Sequence, residues 1–94
     1  MHWTNEEKSL FQAFKTLKNE GEIASFCRDL MTSAEIKEFS KRWRIAQLLA
    51  EKKMSYIEIA KEVKTSTTTV TRVNEWLNNG KNGYKTALSR IKKK

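Results

Sequence analysis

From Met54 to Asn78, in MSYIEIAKEVKTSTTTVTRVNEWLN, apolar residues fall at helical spacings in two runs separated by a short polar break. Ile59 and Val63 are four apart in the first run; Val70, Val73 and Leu77 are three and four apart in the second. Ser55 caps the first run, and Glu58 three residues on completes a capping box. Ala60 is small where a second helix must approach closely. Lys64-Thr65-Ser66 makes a turn of the length that joins two crossed helices, and it ends in good N-cap residues. With Thr67 at zero and about 100° per residue, the apolar stripe of the second helix centres near about 275°. Thr68, Thr71, Arg72 and Glu75 lie on the opposite face. The pattern predicts a helix-turn-helix whose second helix shows hydroxyls and an arginine outward, a face able to enter a major groove. Two local features oppose this. Lys64 stands where such turns usually carry glycine, so it must take positive φ. The run Thr67-Thr68-Thr69-Val70-Thr71 is β-branched and would suit a strand, but the three-and-four apolar spacing favours a helix.

The same alternation organises the rest of the chain. Thr4 and Glu7 form a capping box for a helix over Asn5 to Lys18, with Leu10, Phe11, Phe14 and Leu17 on a narrow stripe. Trp3 packs either at the entry to that helix or in a partner subunit. Asn19 to Gly21 breaks the pattern. A short helix over Glu22 to Met31 follows, with Ile23, Phe26, Cys27 and Leu30 on one face. Thr32-Ser33-Ala34-Glu35 opens the longest helix, Ser33 to Lys52. There Ile36, Phe39, Trp43, Ala46 and Ala50 recur, and Ile45, Leu48 and Leu49 widen the apolar surface. Such a helix is expected at the centre, packed on several sides. Lys41, Arg42 and Arg44 reach solvent along their stems. Asn79 to Gly83 forms a turn in which Gly80 suits a left-handed cap. A last helix over Tyr84 to Lys92 uses Tyr84, Ala87, Leu88 and Ile91, and Lys92-Lys93-Lys94 suits the negative end of its dipole.

Ninety-four residues make one small domain, too short to bury a generous core alone, so association is expected. Proline is absent and glycines number three, which favours an all-helical chain with short connections. Charge sharpens the picture. Of the net +8, residues 1–40 carry five Lys/Arg against seven Asp/Glu, and residues 41–94 carry fourteen against four. The basic half thus holds the helix-turn-helix, as a surface that meets phosphate requires. Cys27 is the lone cysteine, which excludes a disulfide framework and a thiol metal cluster. It reads as a small buried apolar residue, because the one histidine, His2, is terminal. There is no nucleophile–base pair, metal-ligand spacing or glycine-rich phosphate loop, so neither an enzyme nor a cofactor is expected. No signal peptide or membrane-length apolar run occurs, which points to the cytoplasm and away from a membrane.

Six helices with a long third and a helix-turn-helix as fourth and fifth resemble the Trp repressor superfamily. The residues that carry the likeness are Met31-Thr32, Lys41-Arg42-Trp43-Arg44-Ile45-Ala46, Glu51-Lys52-Lys53-Met54-Ser55 and Thr69-Val70-Thr71-Arg72. Within it the sequence is similar to the small YerC/YecD-type branch of Trp repressor-like regulators. Ser55-Tyr56-Ile57-Glu58-Ile59-Ala60, Ser66-Thr67, Thr71-Arg72-Val73-Asn74, Leu77-Asn78 and Gly83-Tyr84 carry that closer likeness. The resemblance implies an all-α, intertwined homodimer with two recognition helices about one DNA turn apart on a palindromic site. It also implies a ligand position: the family's best-known member holds tryptophan as corepressor between the central and recognition helices. Arg42 and Arg72 match the residues that take the ligand's ring and carboxylate there, and Thr32 and Thr69 match other lining positions. Two positions depart. Val73 stands where the family pocket has glycine, and Trp76 where it has serine. Overpacking a preformed site costs about 1–3 kcal/mol, so little affinity for free tryptophan is expected. Trp76 would instead prop the recognition helix from within, or simply pack in the core. A further departure is Ile57, which replaces the family's arginine near the start of the first motif helix.

The expectation is a single domain over residues 1–94: dimerisation and scaffold helices over 1–53, the helix-turn-helix over 54–78 and a C-terminal helix over 84–92. It acts as a homodimeric, sequence-specific regulator of double-stranded DNA, read as a repressor that works without free tryptophan. Thr67, Thr68 and Thr71 would read bases, with Tyr56, Lys64, Ser66 and Arg72 on phosphate or the groove rim. One alternative keeps the fold as a repressor gated by an amino acid or other anionic corepressor, with Thr32, Arg42, Thr69, Arg72 and Trp76 lining its site. Another is a protein-interaction module that has lost DNA binding.

Overall fold

The computed structural model describes residues 2–91 as six α-helices, with no strand among them. They are α1 (Asn5–Lys15), α2 (Glu20–Leu30), α3 (Ser33–Glu51), α4 (Tyr56–Val63), α5 (Thr67–Asn79) and α6 (Gly83–Ile91). The expected end of α6 at Lys92 and the terminal lysines lie outside the described residues. The chain divides into two compact units, one up to Ile36 and one from Lys37 onward.

In the first unit, Thr4 and Glu7 form the reciprocal cap of α1, with bonds of 3.0 and 2.9 Å. Trp3 packs at the entry, edge-on to Phe11 with centroids 5.1 Å apart. Phe14 meets Phe26 in the same T-shaped way and joins α1 to α2. Two expected boundaries move. Helix α1 stops at Lys15 rather than Lys18, because the Thr16 hydroxyl donates to the Ala13 carbonyl at 2.7 Å and the last turn tightens. Helix α2 begins at Glu20, not Glu22. Asn19, expected as a breaker, is its N-cap and accepts from the Glu22 N–H at 2.9 Å, which puts Gly21 in the first turn. Cys27 is half-buried rather than buried, and no residue of α1 or α2 is buried. The Thr32–Glu35 box at the start of α3 forms as expected, at 3.1 and 2.8 Å.

The second unit holds the core. Ile45, Ala46 and Leu48 of α3 pack with Ile59 and Ala60 of α4 and Val70 and Val73 of α5. Trp43, Leu49, Met54, Val63 and Tyr84 close around them. Ile45, Ile59, Val70 and Val73 are wholly buried, and each such side chain contributes about 1.5–3 kcal/mol. The apolar circumference of α3 is wider than this core uses: Phe39, counted with its buried stripe, is exposed. Helices α4 and α5 pack together, and α5 packs on α6, where Leu88 is buried.

Three non-glycine residues with positive φ mark the junctions: Lys52 at 58°, Lys64 at 62° and Asn82 at 66°. Gly80 does not take the left-handed cap expected of it; its φ is −86° and ψ −145°. Glycine is still required there, since a β-carbon would run into the Trp76 carbonyl.

Candidate nucleic-acid interface

The motif is assembled from local caps. Ser55 accepts from the Glu58 N–H at 3.1 Å, and the Glu58 carboxylate accepts from the Ser55 N–H at 2.7 Å. Lys64 ends α4 in the left-handed conformation, its N–H donating to the Ala60 carbonyl. Thr65 also donates its N–H to that carbonyl, at 2.9 Å. One long-range bond fixes this turn from the side: the Lys41 amine of α3 donates to the Lys64 carbonyl at 3.3 Å. Ser66 then caps α5 by accepting from the Thr69 N–H at 3.1 Å, and the Ser66 and Thr69 hydroxyls lie 3.1 Å apart.

With Val70 and Val73 wholly buried, α5 can turn only one way. Thr67, Thr68, Thr71, Arg72 and Glu75 all face solvent. The Thr71 hydroxyl donates to the Thr67 carbonyl at 3.0 Å, which leaves its oxygen free to accept. The Thr67 and Thr68 hydroxyls make no intramolecular hydrogen bond among the described residues. Tyr56, Lys64 and Ser66 are also exposed. The β-branched run forms a helix because its buried valines recur at helical spacing and Ser66 starts the turn.

A second cluster lies where α3 meets α5. The Arg42 guanidinium sits 5.4 Å from the Phe39 ring centroid and 5.3 Å from that of Trp76. Its Nε lies 3.6 Å from a Glu38 oxygen. Contacts of this type at exposed sites contribute about 0.5–1 kcal/mol each for the ring and less for the ion pair. Trp76 itself is 43% exposed, so neither the plain core position nor a fully internal prop describes it. Beside this cluster Tyr84 stacks on Trp43, with centroids 6.3 Å apart. Burial pushes the Tyr84 hydroxyl above its usual range, and the nearby Arg42 charge opposes that rise.

Of the five residues given to a ligand, the structure thus brings Arg42 and Trp76 together. Thr69 is occupied with the cap of α5, Thr32 is occupied with that of α3, and Arg72 is exposed. Phe39, Glu38 and Lys41 were not singled out as site residues by the pattern. The first two stand three and four residues before Arg42, a spacing that makes helix neighbours and could have revealed them. Lys41 had no such signal, since its partner is 23 residues away.

The chain matches the family described as Trp repressor protein over residues 5–92. It is 37% identical over 87 residues to the uncharacterized protein YerC of Bacillus subtilis (strain 168), covering 93% of this chain and 83% of that protein. A crystal structure of a TrpR-like protein from Eubacterium eligens ATCC 27750 superposes with a TM-score of 0.87 at 38% identity. It covers 94% of this chain and 90% of that one. That of a proposed Trp repressor from Staphylococcus aureus also gives 0.87, at 32% identity, over 96% and 89% of the two chains. Caps, buried stripe, six-helix order and these likenesses agree: the chain belongs to the Trp repressor family.

Proposed function

We propose that this protein is a sequence-specific DNA-binding regulator that acts as a homodimer on a palindromic site and needs no free tryptophan. The observation that carries the reading is helix α5. Two wholly buried valines hold it so that Thr67, Thr68, Thr71 and Arg72 face outward. Hydroxyl and methyl groups suit base edges, and Arg72, Lys64, Ser66 and Tyr56 suit phosphate and the groove rim. Membership of a family of regulators, not enzymes, supports this role. The basic half of the chain supplies the complementary charge.

Homodimerisation is supported by apolar side chains that one chain leaves bare. Trp3, Phe11, Ile23, Leu30 and Phe39 are each between 42 and 46% exposed, and α1 and α2 bury no residue of their own. A second copy is the partner that would cover them. Independence from tryptophan is supported by the Arg42 cluster, where an indole of the chain already lies against the guanidinium.

Selection of bound duplexes from a random pool tests the reading. The expected result is one palindromic sequence with half-sites about 10–10.5 base pairs apart and an affinity that falls steeply with salt. Failure to retard any duplex at low salt would overturn it in favour of a protein-interaction module.

A further inference from the structure

Ile57 is the most exposed large hydrophobic residue among those described, at 61%. It is the second residue of α4, just beyond the Ser55 cap. At about 100° per residue it lies about 160° round the helix from the wholly buried Ile59, at the exposed edge beside Ala60, and it shares its flank with Lys61 one turn further on. Lys52 and Lys53 precede it and Lys64 follows the helix; all four lysines are exposed. Neither carboxylate of α4 serves this flank. Glu58 is turned back onto the Ser55 N–H, and Glu62 falls about 140° round the helix from Ile57. Ile57 is thus a branched apolar group beside the cation of Lys61, in a stretch of chain where exposed lysines outnumber carboxylates.

A partner that fits must be anionic and must offer a small apolar target among its charges. Duplex DNA does so: the C5-methyl of thymine is the apolar group of the major-groove edge, between two phosphate rails. A single isoleucine offers too little apolar area to hold a protein on a lipid surface. In a helix-turn-helix, the first helix crosses the backbone beside the groove that the second enters. An outward side chain at the start of α4 therefore lies near bases flanking those under α5.

We infer that Ile57 reads a thymine methyl at the outer edge of each half-site, as a specificity-determining contact distinct from the threonines of α5. The inference rests on the DNA-binding reading above. Its effect is one methyl-sized apolar contact per half-site, about fourfold in affinity.

The test uses the full chain and the tightest duplex from random-pool selection. Each thymine is replaced in turn by deoxyuridine, which lacks only the methyl, and affinity is measured for the wild-type protein and for Ile57→Ala. Circular dichroism should show the variant as folded as the parent, since the side chain is exposed. The expected result is a symmetric pair of positions where the loss of the methyl weakens the wild type about fourfold per half-site and leaves Ile57→Ala unchanged. Equal penalties in both proteins at every position would overturn the inference while leaving DNA binding intact. If no duplex is bound, the DNA-binding reading fails and this one with it. Ile57-dependent retention on phosphatidylglycerol vesicles, without any thymine-methyl effect, would replace it by membrane contact.

Discussion

Lys64 and Gly80 show how one backbone position sets what a residue can be. Lys64 takes φ 62°, a left-handed conformation that a β-carbon makes costly, where the turn has a long-range hydrogen bond from Lys41 to its carbonyl. That bond uses the main chain, so Lys64→Gly keeps it and relieves the strain. The gain, net of the extra freedom glycine gives the unfolded chain, is about 0.5–1 kcal/mol. Gly80 is the reverse case: its φ is ordinary, but a β-carbon would strike the Trp76 carbonyl. Gly80→Ala should cost about 1–3 kcal/mol. Urea unfolding checks both, as a midpoint that rises for the first and falls for the second with little change in slope. A fall for Lys64→Gly would show that the lysine side chain does more in the folded protein than its backbone costs.

At the scale of the element, the proposed reading divides the work of α5 between two kinds of side chain. Thr68→Ala and Thr71→Ala should broaden the set of sequences bound, because they would remove the proposed base-edge contacts. Arg72→Ala should weaken all sequences alike and lower the salt slope by about one. Competition between the selected duplex and scrambled DNA at several salt concentrations separates these outcomes. Arg72→Ala losing one sequence and sparing the others would assign the arginine to a base. Helix starts that carry a capping box were the most legible feature of the sequence. The Thr4–Glu7, Thr32–Glu35 and Ser55–Glu58 boxes depend on residues three apart, and each formed where the letters placed it. Ends were less so. Lys15 ends α1 because the Thr16 hydroxyl bends back on Ala13, a choice composition does not encode. Asn19 and Gly21 read as a break because both disfavour helix interiors, but at a cap and in a first turn they are at home. The site was legible in part for the same reason. A helical wheel puts Trp76 beside Thr69, on the flank of α5 away from Thr67 and Thr71, but its exposure and its place against Arg42 depend on α3, a separate stretch of chain.

For the whole molecule, the bare aromatics Trp3, Phe11 and Phe39 predict that the chain sediments as a dimer at micromolar concentration. Replacing the exposed Phe11 by Glu should shift it toward monomer and abolish tight operator binding; a native chain that stays single would sink the paired reading. Titration calorimetry with free tryptophan should give no saturable micromolar heat, since the chain's own indole meets Arg42. Saturation would instead favour a gated repressor. The three reciprocal caps bear on how such a pair comes together. Each clasp is written within four consecutive residues, so where a rod begins is specified without reference to any distant surface. Two copies that interlock need only match faces; neither has to discover where its partner's segments start.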